Sequence, residues 1–260
     1  MSTFLLPVAT LWLREMVRFF RQRSRVVGAL VQPLVFWLLL GGGLQGSFHP
    51  PGAPAGVGYG EYAYPGILAM VLLFTAIFAT ISVVEDRQRG FLQGVLAAPV
   101  PRPSIVLGQA LGCTTLGVMQ GVILLPLALL VGIPLTPAAA LQAIGVMILV
   151  AFGLTSLSLV IAWRLDSTQG FHAIMNLVLL PMWLLSGAFF PTTGAPVWLL
   201  WAMQVNPLTY GLAAIRRSLY LGNPAGAGPV PALGPSLAVV LVFAGLAFAA
   251  AVAMAVRKRA

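Results

Sequence analysis

Residues 102–164 read RPSIVLGQALGCTTLGVMQGVILLPLALLVGIPLTPAAALQAIGVMILVAFGLTSLSLVIAWR, with an arginine at each end and no charge in the 61 residues between. As one helix this stretch would be about 90 Å long, three times the hydrocarbon thickness of a bilayer. It must therefore be two crossings, and Gly132-Ile133-Pro134-Leu135-Thr136-Pro137 is the turn between them. The same reading extends outward: of 260 residues, 60% are hydrophobic and 7% charged, against roughly 25% charged in a soluble domain. Strands are excluded as the spanning element, because a transmembrane barrel shows segments of about ten residues that alternate in polarity.

Cutting the chain at its charge clusters predicts an all-α membrane protein with six spans: Val26 to Ser47, Tyr62 to Val84, Ser104 to Val131, Pro137 to Trp163, Gln169 to Phe190, and Ser236 to Val256. The first is interrupted by Gln32-Pro33. A cleavable signal peptide is disfavoured there, since 25 residues precede the apolar run and the run exceeds an ordinary h-region. The Gly- and Pro-rich stretch from Ser47 to Gly60 and the break at Pro191, Gly194 and Pro196 read as loops. With six spans, 12 of the 14 basic residues fall on the side of the termini and only Arg216 and Arg217 opposite. The positive-inside rule then makes both termini cytoplasmic, and the net charge of +9 needs no nucleic-acid partner.

Three segments are not spans. Residues 1–25 predict an amphipathic interface helix, with Arg14, Arg18, Arg21 and Arg25 in one stripe and Leu5, Trp12, Met16 and Phe19 opposite. Its arginines suit anionic headgroups or a cytoplasmic subunit. Residues 85–102 predict a short cytoplasmic helix: Glu85 and Asp86 suit its start, Phe91, Leu92, Val95 and Leu96 share a face, and Pro99, Pro101 and Pro103 stop it. Apolar surface there calls for a partner. Within residues 191–221, Asn206-Pro207 is an N-cap and first-turn proline that opens a helix to about Tyr220. Trp198, Trp201, Tyr210 and Tyr220 suit an outer interfacial belt, with Arg216 and Arg217 on terminal carbonyls and headgroups.

At these residues the chain resembles the ABC-2 permeases, the membrane subunits of bacterial ATP-binding-cassette exporters. Glu85, Arg89-Gly90, Ala98-Pro99-Val100 and Arg102 look like the family's coupling loop, with Ala98 in place of its usual threonine. Leu179, Met182, Leu185-Ser186, Ala188, Ala195-Pro196, Pro207-Leu208-Thr209-Tyr210 and Arg216 follow the signature of the fifth span and re-entrant segment. The resemblance implies one transmembrane domain over residues 1–260 in the bacterial inner membrane. It also implies a second permease copy or a related chain, and a cytoplasmic ATPase that binds ATP and Mg. Contact with that ATPase is expected from Glu85, Arg87, Arg89, Gly90, Phe91, Leu92 and Leu96, joined by Arg14 and Arg18.

The chemistry of the chain points the same way. It has no phosphate-binding Gly-x-x-x-x-Gly-Lys loop and one lysine, Lys258. His49 and His172 fall on opposite sides, and the single Cys113 has no partner for a disulfide, so neither a metal site nor a catalytic residue is expected. A proton- or ion-coupled carrier needs ionisable groups at mid-membrane depth, whereas Glu15, Glu61, Glu85, Asp86 and Asp166 all map to edges. His172 and Asn176, one turn apart, are the nearest approach to a polar relay, so an ion-coupled transporter or a non-transporting membrane anchor stands as the alternative. A substrate path with Tyr64, Phe74, Phe78, Asn176 and Trp183 would suit amphipathic drugs, lipid-linked molecules or glycans.

Overall fold

The computed structural model describes residues 2–44, 58–189, 196–223 and 226–257. Of the loop after the first predicted span, all but its last three residues, which lead into α3, lie outside the described residues, as do the break at Pro191 and Gly194, and Lys258 and Arg259. The elements are all helical: α1 (Ser2–Arg21), α2 (Arg23–Leu44), α3 (Tyr59–Gln88), α4 (Phe91–Ala97), α5 (Arg102–Leu124), α6 (Pro137–Ala162), α7 (Thr168–Trp183), α8 (Val197–Val205), α9 (Pro207–Leu219) and α10 (Leu233–Arg257). Five helical stretches are long and apolar enough to cross a bilayer: α3, α5 with its extension, α6, α7 with its extension, and α10. The helix at the first predicted span, α2, has a shorter apolar run, Val31–Gly43, so five crossings rather than six stand on length and composition.

Local chemistry explains the helix ends. Pro126 lacks an N–H donor, so α5 tightens into a 3-10 extension, Leu125–Val131, and ends at Gly132 in the left-handed region. Thr136 then caps α6 by accepting the Ala139 N–H at 3.1 Å. Ser167 caps α7 in the same way, and α7 ends in a π turn, Leu184–Ala188. Asn206 caps α9 through the Leu208 N–H at 3.0 Å, while its amide nitrogen donates to the Met182 carbonyl at 2.6 Å and ties α9 to the end of α7.

The centre of the bundle is α3, almost wholly buried among α2, α5, α6 and α7. α10 covers α6 and α9, and α1 lies along α5. Two Gly-x-x-x-Gly pairs on α5 set these distances. A Cβ at Gly108 would stand 2.9 Å from both the Val8 carbonyl and the Leu11 Cβ, and one at Gly112 would stand 2.9 Å from the Glu15 Cβ. Gly117 and Gly121 face Leu72 of α3, and Gly121 also meets Met147 of α6. Small residues at such spacing let helix backbones approach closely. Gly108→Ala is therefore expected to destabilise the α1–α5 contact by about 1–3 kcal/mol, read as a lowered unfolding midpoint. Gly94→Ala, where nothing lies within 4 Å, serves as the neutral comparison.

A charged junction and an adjoining cavity as the candidate functional site

Glu85 and Asp86 do not begin the loop helix. They stand in the last turn of the 30-residue α3, where the helix dipole opposes negative charge. The compensation comes from α1. Arg14 donates from both Nη atoms to the two Asp86 carboxylate oxygens, each at 2.6 Å. Arg18 donates to Asp86 Oδ1 at 3.1 Å and to Glu85. The arginine stripe expected to face headgroups or a subunit is thus turned inward at these two positions. Glu15, 4% exposed, lies 3.5 Å from Arg14, and burial pushes its carboxyl above the usual carboxylate range against the pull of Arg18 and Arg14.

α3 and α4 meet at Gly90, whose φ of 76° places it in the left-handed region. That angle costs an L-residue with a Cβ about 1–2 kcal/mol. The reversal lays α4 back on the bundle, so its face divides. Leu92, expected to meet a partner, is 2% exposed and belongs to the core, and Leu96 is half-buried against it. Phe91 remains 44% exposed, with the Arg14 guanidinium 4.0 Å above its ring. Arg89 reaches Glu85 at 3.8 Å from the surface.

Arg87 has a different role from its neighbours. Its guanidinium donates to the Leu165 carbonyl at 2.6 Å, the Trp163 carbonyl at 3.1 Å and the Ala162 carbonyl at 3.3 Å, and to Asp166 at 3.0 Å. These carbonyls close the end of α6, which has no further turn to satisfy them. Arg87 therefore locks α3 to α6, and it is not part of an exposed charged rim.

Beside the junction is a cavity of about 420 Å³ lined from α1, α2, α3 and α5. Phe74 and Phe78, expected on the path, line it, stacked on each other with centroids 6.1 Å apart. Tyr64 and Trp183, candidates on the same grounds, lie in the packed interior: the Tyr64 hydroxyl donates to the Leu124 carbonyl at 2.7 Å and Trp183 Nε1 donates to the Gly66 carbonyl at 2.9 Å. Asn176 stands on the exposed side of α7, and His172 packs on the rings of Phe78 and Phe171. Among the described residues, no group of three His, Cys, Asp or Glu is placed to hold a metal ion.

At the opposite end of α3, Arg216 is 5% exposed and donates to the Tyr62 carbonyl at 2.9 Å while lying over the Tyr62 ring. The Tyr220 hydroxyl donates to Glu61 at 2.6 Å; burial, then this carboxylate, push it far above the ordinary phenol range. Arg216 and Tyr220 are therefore internal, in place of the headgroup and belt positions expected of them. Trp198 and Trp201 are exposed, as belt residues are. Arg217 donates to the Val230 carbonyl at 2.7 Å.

The comparisons with known proteins agree with this architecture. The family model described as ABC-2 type transporter matches residues 7–220. The chain is similar to the putative transport permease ycf38 of Porphyra purpurea, at 29% identity over 78% of this chain and 70% of that protein. It is also similar to nodulation protein J of Rhizobium leguminosarum bv. trifolii, at 28% identity over 77% and 76%. The probable multidrug ABC transporter permease YbhR of Escherichia coli (strain K12) matches at 26% identity over 63% of this chain and 44% of its own length. The helical bundle, its membrane-length helices and the match over most of the chain place this protein in the ABC-2 type transporter family, as a multi-pass membrane component of a transporter.

Proposed function

We propose that the chain is the permease subunit of an exporter in the bacterial inner membrane, with α2 as a sixth crossing and both termini cytoplasmic. A separate ATPase subunit, which binds ATP and Mg, drives an amphipathic substrate out of the cytoplasm or inner leaflet. The observation that carries this reading is the junction of α1, α3 and α4. Ion pairs fix α1 to α3 and Leu92 seats α4 on the core, yet Phe91 is left exposed under Arg14. A push on Phe91 is transmitted to α3, the helix on which most of the bundle packs. The printed name of YbhR, a probable multidrug permease, supports a small amphipathic cargo.

The subunit works in a pair. α3 is too deeply buried to line the seam, so the exposed side of α7, with Leu177, Val178 and Leu184, is the better surface for a second copy. Co-purification with an ATPase encoded beside it, and ATP hydrolysis stimulated by amphipathic compounds, test the function; a permease that exports without any ATPase would overturn it. The orientation has its own test. Maleimide applied to intact cells is expected to label Asn223→Cys and leave Gln93→Cys unlabelled, both positions being exposed on the molecule. Labelling at Gln93 reverses the topology.

A further inference from the structure

The cavity beside the junction is not a simple apolar gap. Glu15 and Arg18 of α1 form one wall, Phe19 of α1 with Phe74 and Phe78 of α3 another, and Gln120 of α5 stands among them. Gln120 Oε1 accepts the Thr75 hydroxyl at 3.0 Å, but its buried Nε2 has no partner among the described residues. A buried amide donor without a partner is costly unless something fills the space and accepts from it. The buried charges are unequal too. Inside the junction Arg14 and Arg18 face three carboxylates, Glu15, Glu85 and Asp86, while Arg89 reaches only Glu85, at 3.8 Å from the surface. Both Nη atoms of Arg14 lie closest to Asp86, and those of Arg18 are held by Asp86 and Glu85. Glu15, nearly buried, is left with a contact of 3.5 Å.

We infer that this cavity is a binding site for an amphipathic organic monocation, its charged nitrogen at Glu15, its body against Phe19, Phe74 and Phe78, and an acceptor atom on Gln120 Nε2. A space of about 420 Å³ falls within the range of small-molecule sites. Aromatic faces attract cations as well as apolar groups. A monocation supplies at Glu15 the compensation that Arg14, 3.5 Å away and bonded first to Asp86, does not, whereas an anion would be repelled by that carboxylate. The inference deepens the exporter reading by naming the charge class of its cargo, and it rests on that reading for why such a molecule is carried.

The test needs neither an ATPase nor transport, so its failure is separate from failure of the exporter reading. Purified permease in phosphatidylcholine nanodiscs is titrated with rhodamine 6G, a fluorescent monocation with an ester acceptor, and followed by polarisation against empty discs. Saturable binding competed by tetraphenylphosphonium is expected. Glu15→Gln should raise Kd about tenfold or more, as removing one side of a buried charge contact does. Phe78→Ala should raise it about threefold. Neutral Nile red should be insensitive to Glu15→Gln. Gln32→Cys on the cavity wall should be shielded from maleimide by the dye, the native Cys113 being buried. If Glu15→Gln does not fold, Gln120→Leu, outside the ion cluster, decides through its own rise in Kd. Absence of saturable binding, or equal affinity in these variants with no shielding at Gln32→Cys, overturns the proposal.

Discussion

Asp86→Ala is expected to destabilise the protein by about 3 kcal/mol, the lower end of the 3–5 kcal/mol that follows when one partner of a buried ion pair is removed. The Asp86 side chain is 4% exposed and holds two guanidiniums. Its loss leaves Arg18, 11% exposed, with Glu85 as its remaining hydrogen-bonded carboxylate among the described residues, and Arg14 without its bidentate partner. The value sits at the lower end because Arg14 is 29% exposed and recovers hydration. The converse change is asymmetric. Arg14→Ala leaves Asp86 paired with Arg18 and should cost only about 1 kcal/mol, the scale of a partly solvated pair. Denaturant titration of the purified variants in detergent measures both; a loss below about 1 kcal/mol for Asp86→Ala would show that the junction is not held by this carboxylate.

This junction also shows where the sequence stops being legible. Of the six spans read from the charge-free tracts, five are helices of membrane length, because bilayer thickness and helix rise are fixed lengths. The turn at Gly132–Pro137 and the cap at Asn206 follow from backbone chemistry within a few residues. The arginine stripe of α1 is equally visible, but a stripe records only that one face is charged. Whether it meets headgroups or carboxylates depends on a contact 67 to 72 residues away. One signal was present: Glu85-Asp86 at the end of a long helix is electrostatically disfavoured and implies cations from elsewhere. Another was the pair of Gly-x-x-x-Gly spacings in α5, which marks where α1 and α3 come close. The aromatic residues were harder to assign. Tyr64 and Phe74 are both aromatic residues of the same helix, and it takes the packing and the carbonyl that meets the Tyr64 hydroxyl to make one interior and the other a cavity wall.

Arg87 and Phe91, four residues apart and both read from sequence as contacts for the ATPase, are expected to fail in opposite ways. Arg87→Ala removes the donor to three carbonyls at the end of α6, and the Arg87 side chain is only 14% exposed. Leaving buried acceptors unpaired costs about 1–3 kcal/mol each where water does not replace the donor, so the variant should lose about 2–4 kcal/mol of stability in total, with α3 loosened from α6. Any ATPase that still binds the folded fraction should do so with near-normal affinity. Phe91→Ala removes an exposed ring whose one special contact is the Arg14 guanidinium, worth about 0.5–1 kcal/mol at such a site, so stability should barely change. Association with the ATPase should instead weaken by about 2 kcal/mol, roughly thirtyfold, as when an aromatic anchor is cut from the centre of an interface. Transport and ATP hydrolysis coupled to it should fall together. Unfolding curves and ATPase binding, measured on the same two preparations, separate the roles. If Phe91→Ala associates normally while Arg87→Ala does not, the docking surface lies towards α6, and Asp166 becomes the residue to examine.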